Sequence, residues 1–360
     1  MSRGLHLCLL GDANSVHLQR WSAEMQARGH RVSVVTARPA PIAGAGQRVL
    51  APVARSRDWL WRVGTARDAI AGLKPDIVHA HYVTSYGYLA ARIGRHPLVM
   101  TAWGSDLLVT PRASRLLHAL TSWTLRRADL ATGDSADLLD AIRAHAPGVP
   151  ARLIHWGADL ATFRPAEALP HAFGIASLRS WDANYNIDVV VDAVALLHAR
   201  WPELPLELHL LGGGPLEAAL RAQVDARGIA GQVRWHGRVG DAAMVDALRH
   251  CRVSVSVPTS DATSVSLLES MAMGLAVVAT DLPANRAWLA ADDSVLVPVR
   301  DAAALADALE RLARDPADTE RMARRNRARI ETDGSRSAQM DAMDGLYREL
   351  WDQARARRMA

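Results

Sequence analysis

The segment from Val253 to Thr280 constrains the fold more than any other part of the chain. Val253–Val257 alternates apolar and small polar residues, as strands do, and a polar loop follows. Ser266 opens a predicted helix, and Gly274 suits its C-terminus, where a positive φ is commonly needed. Leu275–Thr280 is a short apolar run, which is typical of a strand buried on both faces. This order of elements predicts a parallel sheet covered by helices.

The loop of this segment is a predicted anion site with a carboxylate on each side. Asp261 precedes the predicted helix and Glu269 lies in its first turn. A loop that leads into a helix N-terminus presents unpaired backbone N–H groups. Here those groups belong to Thr263, Ser264, Val265 and Ser266. The spacing Ser266-x-x-Glu269 is also that of a capping box, in which Glu269 satisfies a backbone N–H, so both interpretations of Glu269 stay open.

The N-terminal half begins with a similar unit. Leu5–Leu10 is a predicted strand, His17–Arg28 an amphipathic helix and His30–Thr36 the next strand. Consecutive units of this kind build a parallel sheet through right-handed crossovers. The first loop has no GxGxxG pattern, which argues against a dinucleotide site there. Because the chain has 360 residues and both halves alternate strand and helix, we expect two domains.

The composition excludes several classes of function. The net charge of +4 rests almost wholly on arginine, since Lys74 is the single lysine. Such a charge helps to hold nucleotide phosphates or an anionic membrane surface, but it is too weak to indicate nucleic-acid binding. Cys8 and Cys251 lie in apolar surroundings and are predicted core residues, and the sequence shows no metal-ligand cluster.

The apolar runs predict where the chain resides. Leu5–Leu10 is too short for the core of a signal peptide, and no apolar run approaches the length of a membrane span. We therefore expect a cytoplasmic protein, with the inner face of the membrane as an alternative location. The arginine-rich helix predicted over Arg112–Arg127 is either a surface for lipid phosphates and anionic membrane or an ordinary solvated face.

Asp261 and Glu269, with seven residues between them, resemble the acidic motif of the retaining glycosyltransferases of family GT4. That resemblance implies the GT-B fold, an α/β architecture of two Rossmann-like β/α/β domains facing a central cleft. It also implies that Asp261 holds hydroxyls of the donor sugar and that Glu269 binds the ribose of the nucleotide. The sequence departs from the family at Asp261, where glutamate is usual, and in lacking the usual glycines between the two acids.

Further segments resemble the same family in the same order. Pro75–His81 resembles a family strand, and Arg152–Pro165 resembles the crossing between the two domains. The resemblance implies an acceptor-side domain over 1–165, a nucleotide-sugar donor domain over 166–335, and a C-terminal helix over 336–360 that packs back on the first domain. Trp351 is the expected buried anchor of that helix.

Trp103 begins a Trp-Gly-Ser-Asp segment at a position where many GT4 enzymes carry a histidine that meets the donor sugar. The segment is similar to a variant in bacterial surface-polysaccharide transferases. Tryptophan cannot act as a base, but its N–H and flat face can orient a sugar. Asp106 is the nearest carboxylate, and it is either a polar catalytic residue or the N-cap of a helix.

Arg179 matches the arginine that clamps the leaving diphosphate in the family, and its fixed fork of donors suits that role. The family has a lysine about five residues later, where this chain offers Asn184, Tyr185 and Asn186 instead. One cation in place of two weakens the stabilisation of the leaving group. This departure is the main reason to consider a catalytically impaired protein.

The resemblance implies further contacts to nucleotide and acceptor. Gly212, Gly213 and Gly214 form a loop that borders the nucleotide, and glycines let a ligand approach the backbone closely. Arg238 and Val239 are the predicted contacts to the base. The expected acceptor-side residues are Asn14, Ser15, His17, Tyr82 and Thr84, and for His17 a place as a partly buried helix residue is an equal alternative.

The leading hypothesis is a retaining glycosyltransferase that uses a UDP- or GDP-sugar as donor. The acceptor is expected to be a glycan, a lipid-linked molecule or a small molecule. The sequence has no D-x-D triplet, so we expect neither a metal nor another cofactor. The alternatives are a catalytically impaired nucleotide-sugar-binding protein and a GT-B sugar-nucleotide epimerase. A phosphorylase is disfavoured because Lys74, before Pro75, is not placed to hold pyridoxal phosphate.

Overall fold

The computed structural model describes residues 3–289 and 295–359, and it divides into two compact units. The N-terminal unit comprises Met1–Trp156 and Ser337–Ala360, and the C-terminal unit comprises Gly157–Arg336. The sequence-based division at 165 and 335 stays a prediction. It includes residues 1, 2, 290–294 and 360, which lie outside the described residues.

The sheet of the N-terminal unit is parallel and has the order β3-β2-β1-β4-β5-β6-β7 in the described part of the chain. Its strands are β1 His6–Leu10, β2 Arg31–Thr36, β3 Gly46–Val49, β4 Ile77–His81, β5 Leu98–Thr101, β6 Leu130–Gly133 and β7 Ala151–Leu153. The order reverses direction between β1 and β4, and parallel sheets bind ligands at the carboxyl ends of the strands beside such a point. The loops after these two strands are therefore the first place to look for a site.

The helices of this unit cover the sheet. They are α1 Val16–Ala27, α2 Asp58–Leu73, α3 Tyr88–Ile93, α4 Ser105–Leu108, α5 Arg115–Leu125 and α6 Ala136–His145, with a π-helical turn over Val83–Gly87 and a 3-10 turn over Thr110–Ala113. Three of these helices, α1, α5 and α6, begin at a serine cap. The hydroxyls of Ser114 and Ser135 accept backbone N–H groups at the starts of α5 and α6, as the preference for serine at such positions predicts.

The C-terminal helix spans Arg336–Met359, and from Ser337 onward it belongs to the N-terminal unit. Tyr347 is its buried anchor, since the side chain is fully enclosed and its hydroxyl accepts the indole N–H of Trp21 at 3.0 Å. The expectation that Trp351 is the buried anchor was wrong, because Trp351 is only half-buried. The two residues lie four positions apart on one helix, which places them on the same side but at different depths.

The sheet of the C-terminal unit is also parallel, with the order β10-β9-β8-β11-β12-β13 in the described part. Its strands are β8 Phe173–Ser177, β9 Leu206–Leu211, β10 Val233–Gly237, β11 Val253–Ser256, β12 Ala276–Thr280 and β13 Val295–Val297. Here the order reverses between β8 and β11. The prediction of two Rossmann-like α/β domains with parallel sheets is confirmed.

The helices of the C-terminal unit are α7 Ile187–Arg200, α8 Glu217–Ala226, α9 Asp241–Leu248, α10 Val265–Ala272, α11 Pro283–Trp288, α12 Ala302–Arg314 and α13 Pro316–Asp333. Most of the core lies between the sheet and helices α7 and α12, which carry rows of fully buried Val and Leu side chains. Helix α10 begins one residue earlier than predicted. Ser264 is its N-cap, and the Ser264 hydroxyl accepts the backbone N–H of Leu267.

Candidate functional site

Arg179 lies at the centre of a polar cluster at the point where the C-terminal sheet reverses. It follows β8, and Asp261 follows the neighbouring strand β11. Nη2 of Arg179 donates to Oδ2 of Asp261 at 2.5 Å, while Nη1 donates to the hydroxyls of Ser264 and Ser266, the latter at 3.1 Å. The guanidinium also lies 4.4 Å from the ring centroid of Tyr185. Arg179 is only 8% exposed, so these contacts fix its fork of donors firmly in the site.

The cluster combines a fixed cation with a helix N-terminus. Ser264 caps α10, and the first N–H groups of that helix start beside the Arg179 guanidinium. An arginine and a helix N-terminus that converge in this way favour an anion such as a phosphate. Burial raises the pKa of the Asp261 carboxyl, and the Arg179 guanidinium opposes that shift.

Glu269 does not take part in a capping box. Because Ser264 is the N-cap, the box position in α10 is occupied by Leu267, and Glu269 lies two residues further into the helix. The Ser266-x-x-Glu269 interpretation was therefore wrong. Glu269 is 4% exposed, and its Oε1 lies 4.0 Å from Nη2 of Arg336.

Asn184 lies in the region where the family has its lysine, and its side chain is hydrogen-bonded to the loop after β11. Its Nδ2 donates to the carbonyl of Ser260 at 2.9 Å, and its Oδ1 accepts the N–H of Ser260 at 3.2 Å. Asn186 donates to the carbonyl of Val257 at 2.8 Å and to the hydroxyl of Thr259 at 3.0 Å. These two residues position the loop that carries Asp261, and they bring no charge to the site.

The glycine turn after β9 packs directly on the loop after β8. Gly212 has φ +157°, and a Cβ there would lie 2.2 Å from the carbonyl oxygen of Arg179. A Cβ on Gly214 would lie 2.5 Å from the carbonyl oxygen of Trp181. Larger residues at these two positions would push Arg179 out of place, so the glycines are needed for this close approach.

The remaining residues predicted to bind the nucleotide lie around this turn and at the start of α10. Arg238 is exposed and its Nη2 donates to the carbonyl of Gly213 at 3.3 Å, while Val239 is half-buried. Thr263 is buried, and its hydroxyl accepts the indole N–H of Trp288 at 3.4 Å. Val265 is half-buried at the first position of the helix. The structure thus places these residues within or next to the loops that hold Arg179.

Asp106 in the N-terminal unit is a structural acceptor. Its Oδ1 accepts the N–H groups of Trp103 and Gly104, each at 3.0 Å, and its Oδ2 accepts the N–H of Val83 at 2.7 Å. The side chain is fully buried, and burial raises the pKa of Asp106 to about 6. Backbone N–H groups occupy this enclosed carboxylate, so Asp106 holds the turn at Trp103, and its catalytic role stays a prediction. Asp106 is not the N-cap, since Gly104 precedes helix α4.

A cavity of about 430 Å³ opens beside Trp103 at the reversal point of the N-terminal sheet. Charged, aromatic and small residues line it, among them Asp12, Arg38, Arg55, Trp59, His81, Tyr82, Ser85, Tyr86 and Trp103. Arg38 and Asp12 form an ion pair at 3.2 Å on its wall. The rings of Trp59 and Tyr86 pack edge to face, with their centroids 4.8 Å apart. A wall of this kind suits a ligand with both polar groups and flat apolar faces.

Three buried polar atoms on two side chains at this cavity have no hydrogen-bond partner in the described residues. They are Nε1 of Trp103 and both ring nitrogens of His81. Burial lowers the pKa of His81 to about 3, so the ring is neutral and offers one donor and one acceptor. Buried polar groups without partners are rare in folded proteins, and a bound molecule is one explanation for them.

The predicted acceptor-side residues fall into two groups. Tyr82 lines the cavity, and its hydroxyl lies 2.9 Å from the hydroxyl of Ser105. The others lie near it but not on its wall. Asn14 is exposed and donates to the carbonyl of Arg38 at 3.2 Å, Ser15 caps helix α1, His17 packs 4.5 Å from the ring of Trp156, and Thr84 lies in the π-helical turn.

Sequence reasoning missed the role of the histidines on β4. His79 is fully buried, its Nδ1 lies 2.5 Å from the hydroxyl of Tyr347, and its Nε2 lies 2.6 Å from the hydroxyl of Thr101. The Tyr347 hydroxyl accepts from Trp21 and has one proton of its own to donate, and giving that proton to Nδ1 assigns the ring proton of His79 to Nε2. Tyr347 is too distant in sequence from His79 to be foreseen as its partner.

The described residues contain no group of three or more His, Cys, Asp or Glu side chains placed to hold a metal ion. In the same residues, no helix is both long and apolar enough to cross a membrane.

Comparison with known proteins places both units in glycosyltransferase families. Residues 6–135 match the family model described as glycosyl transferase 4-like, and residues 172–315 match that of the glycosyl transferases group 1. A phosphatidyl-myo-inositol mannosyltransferase of Mycolicibacterium smegmatis is 31% identical over 248 residues, which are 65% of this chain and 61% of the relative. The alignment therefore spans less than two thirds of that relative's length.

Solved structures show the same fold. A sucrose-phosphate synthase from Thermosynechococcus elongatus superposes with a TM-score of 0.83 at 18% identity, covering 97% of this chain and 100% of that one. Anabaena HepE in complex with UDP-glucose superposes with a TM-score of 0.79 at 15% identity, covering 96% and 100%. At these identities the likeness shows the fold, and the fold is that of the GT-B glycosyltransferases.

Proposed function

Because the chain belongs to the GT4-like glycosyltransferases, we propose that it is a retaining, metal-independent enzyme that transfers a sugar from a nucleotide-diphosphate sugar. The acceptor is a glycan, a lipid-linked molecule or a small molecule. The observation that carries the proposal is the buried Arg179, which faces Asp261 and the N-terminus of α10 at the reversal point of the sheet. Anabaena HepE, with the same fold, binds UDP-glucose, which supports a UDP-sugar donor, with a GDP-sugar as the alternative.

The C-terminal unit binds the donor in this proposal. Arg179 and the first N–H groups of α10 hold the diphosphate, since both are donors fixed before the ligand arrives. Asp261 accepts hydrogen bonds from hydroxyls of the sugar. Glu269 binds the ribose. No step needs a metal, because the positive charge comes from side chains and backbone dipoles.

The chemical step is a front-face displacement. The bond between the anomeric carbon of the sugar and the β-phosphate oxygen breaks, and its electron pair stays on that oxygen. The hydroxyl oxygen of the acceptor bonds to the anomeric carbon from the same face, and its proton passes to the departing phosphate oxygen. The products are a glycoside with unchanged anomeric configuration and the nucleoside diphosphate. Arg179 stabilises the charge that develops on the leaving oxygen, which is the kind of interaction that lowers a barrier.

The N-terminal unit binds a hydroxyl-bearing ring of the acceptor in the cavity beside Trp103. Trp59 and Tyr86 offer aromatic edges and faces, and the neutral His81 offers a donor and an acceptor. The N–H of Trp103 orients a sugar oxygen. A hydroxyl group can satisfy both kinds of buried group at once, because it donates and accepts.

We also propose a peripheral contact with the inner face of the membrane through the N-terminal unit. Trp61 on α2 and Leu116 on α5 are each 76% exposed, and arginines flank both positions in the sequence. Exposed apolar side chains beside cations are typical of proteins that lie on anionic membranes. Flotation with vesicles of phosphatidylglycerol and phosphatidylcholine tests this. Wild type is expected to float with anionic vesicles. The double variant Trp61→Ser, Leu116→Ser is expected to remain in the bottom fraction of the gradient.

The experiment that tests the proposed function is a transfer assay in EDTA. UDP-glucose, UDP-N-acetylglucosamine and GDP-mannose are offered with methyl glycosides or prenyl-phosphate-linked sugars, and release of the nucleoside diphosphate is followed. Proton NMR of the product then gives its anomeric configuration. A retained configuration supports the proposal, and an inverted one contradicts it. Tight binding without release of diphosphate would favour the impaired-protein alternative, and a new sugar nucleotide would favour the epimerase.

A further inference from the structure

We propose that Arg238 supplies the second cation for the departing diphosphate, in the role that the absent lysine leaves open. This inference rests on the proposed function and goes beyond it, because it concerns how this chain compensates for its departure from the family. The family resemblance implies instead that Arg238 contacts the base. The contacts of Arg238 favour the phosphate end of the nucleotide.

The charge on Arg179 is not fully available to a diphosphate. Its Nη2 is paired with the carboxylate of Asp261 at 2.5 Å, and both groups lie in a partly enclosed site. An ion pair of this kind presents little net charge to a third group. A diphosphate carries several negative charges, and its departure requires fixed positive charge nearby. A second cation is therefore needed.

The residues that replace the lysine cannot provide that cation. Asn184 is neutral, and both ends of its amide are hydrogen-bonded to the backbone of Ser260. Tyr185 lies under the Arg179 guanidinium and is also uncharged. Lys74 is the single lysine of the chain, and an ordinary histidine is mostly neutral at pH 7, so an arginine is the candidate for a permanent second cation.

Arg238 follows β10 and reaches the glycine turn after β9, which packs on the loop that carries Arg179. Its Nη2 donates to the carbonyl oxygen of Gly213 at 3.3 Å. The same oxygen accepts the hydroxyl of Ser180 at 3.1 Å and the backbone N–H of Trp181 at 3.3 Å. The guanidinium of Arg238 thus shares one acceptor atom with the two residues that directly follow Arg179. Its head group lies at the glycine turn, and this turn packs on the loop that follows β8 and carries Arg179.

Most N–H donors of the Arg238 guanidinium are available to a ligand. It is exposed, and within residues 3–289 and 295–359 no carboxylate forms an ion pair with it. Its neighbours differ in this respect: Arg234 pairs with Glu207 at 2.9 Å, and Arg221 pairs with Glu217 at 2.9 Å. One carbonyl contact leaves most of the five N–H donors of Arg238 for a phosphate, which arginine binds through two parallel hydrogen bonds.

The absence of a side chain at Gly213 keeps this position open. A Cβ on Gly213 would lie 3.1 Å from Nε of Arg238 and would crowd the guanidinium. The glycine turn therefore serves two purposes in this proposal. Gly212 and Gly214 let the turn approach the loop of Arg179, and Gly213 leaves room for the second cation.

The test compares binding of UDP, UMP and uridine to wild type and Arg238→Gln by calorimetry, with ligand-observed NMR for uridine. GDP, GMP and guanosine replace them if wild type binds GDP. We expect Arg238→Gln to weaken UDP binding about tenfold, to weaken UMP binding less, and to leave uridine binding unchanged. Arg238→Lys should restore most of the affinity, and 0.5 M NaCl should reduce the difference between the variants.

The matched control is Arg234→Gln, which removes a cation from β10, the strand just before Arg238, and is expected to leave UDP binding unchanged. Equal losses for uridine and UDP would overturn the proposal and return Arg238 to the base. Unchanged UDP binding in Arg238→Gln would also overturn it. If wild type binds no nucleoside diphosphate, the proposed function itself fails, and that outcome is visible before any variant is measured.

Discussion

Nη2 of Arg179 lies 2.5 Å from Oδ2 of Asp261, and the same guanidinium contacts the hydroxyls of Ser264 and Ser266. One buried side chain therefore joins the loop after β8 to the loop after β11 and to the start of α10. These three loops meet where the sheet order reverses, which is the usual place for a ligand in a parallel sheet. The proposed donor site rests on this junction.

Asp261→Asn separates binding of the diphosphate from transfer of the sugar. The substitution removes a carboxylate that competes with phosphate for Arg179, so affinity for the nucleoside diphosphate should rise about threefold. Transfer should fall, with kcat/KM lower by roughly 10- to 100-fold, because the sugar hydroxyls lose a charged acceptor. Calorimetry and initial rates measure the two effects. A parallel loss of both would show that Asp261 mainly holds the fold of the loop.

Trp103→Phe tests whether the buried indole N–H serves a ligand. The donor has no partner in the described residues, so its removal breaks no hydrogen bond of the protein. We expect kcat/KM to fall roughly tenfold through the lost hydrogen bond to a sugar oxygen. The dissociation constant of the nucleoside diphosphate alone should not change. Weaker binding of the diphosphate would contradict the role given to Trp103.

Tyr347→Phe should destabilise the N-terminal unit without altering the donor site. The lost hydroxyl leaves the N–H of Trp21 and Nδ1 of His79 buried and unsatisfied, which costs roughly 2–4 kcal/mol. Urea unfolding followed by tryptophan fluorescence measures the loss. Trp351→Phe is the matched control, because Trp351 is half-buried, and about 1 kcal/mol or less is expected. Equal losses for the two variants would contradict the assignment of Tyr347 as the anchor.

The buried histidines make the N-terminal unit sensitive to acid. Burial lowers the pKa of His81 from 6.5 to about 3 and also lowers that of His79. Below pH 6.5 the unfolded chain binds protons that the folded unit does not, so the free energy of unfolding falls as the pH falls. Each histidine contributes about 1.4 kcal/mol per pH unit within this window. For His81 the loss ends near pH 3, where the folded form is also protonated.

His81→Gln isolates the contribution of one ring. Glutamine does not titrate, so the slope of the unfolding free energy between pH 6 and pH 4 should decrease by about 1.4 kcal/mol per unit. Urea titrations at several pH values give this slope, and it is independent of any constant loss of stability caused by the substitution. An unchanged slope would mean that His81 is protonated in the folded unit at these pH values.

The sequence predicted the alternating architecture because it follows from local patterns, whereas the role of Arg179 was implied by the family resemblance. The apolar run Leu5–Leu10, for example, forms strand β1 over His6–Leu10, within one residue of the predicted bounds. The first residue of α10 was harder to predict, because Ser264 and Ser266 are both favourable N-cap residues. Only the geometry of the loop selects Ser264. Local chemistry alone does not decide between two serines two residues apart.

What the sequence could not predict depends on contacts between distant residues. The carboxylate of Asp106 accepts a hydrogen bond from the N–H of Val83, which lies in the loop after β4. His79 has a partner in Tyr347, which is 268 residues away. The sequence showed that Asn184 stands where the family has a lysine. Its hydrogen bonds to the backbone of Ser260 join two loops that are distant in sequence, so they could not be predicted.

The central claim is that the cluster around Arg179 binds the diphosphate of a sugar nucleotide without a metal. The most direct measurement is calorimetric titration of UDP, GDP, ADP, dTDP and CMP in EDTA, with wild type, Arg179→Lys and the control Arg234→Lys. We predict that one diphosphate binds wild type and the control alike, and that Arg179→Lys weakens it roughly 10- to 100-fold, because lysine keeps the charge but loses the fork. Binding that needs a metal, or that Arg179→Lys leaves unchanged, would contradict the claim.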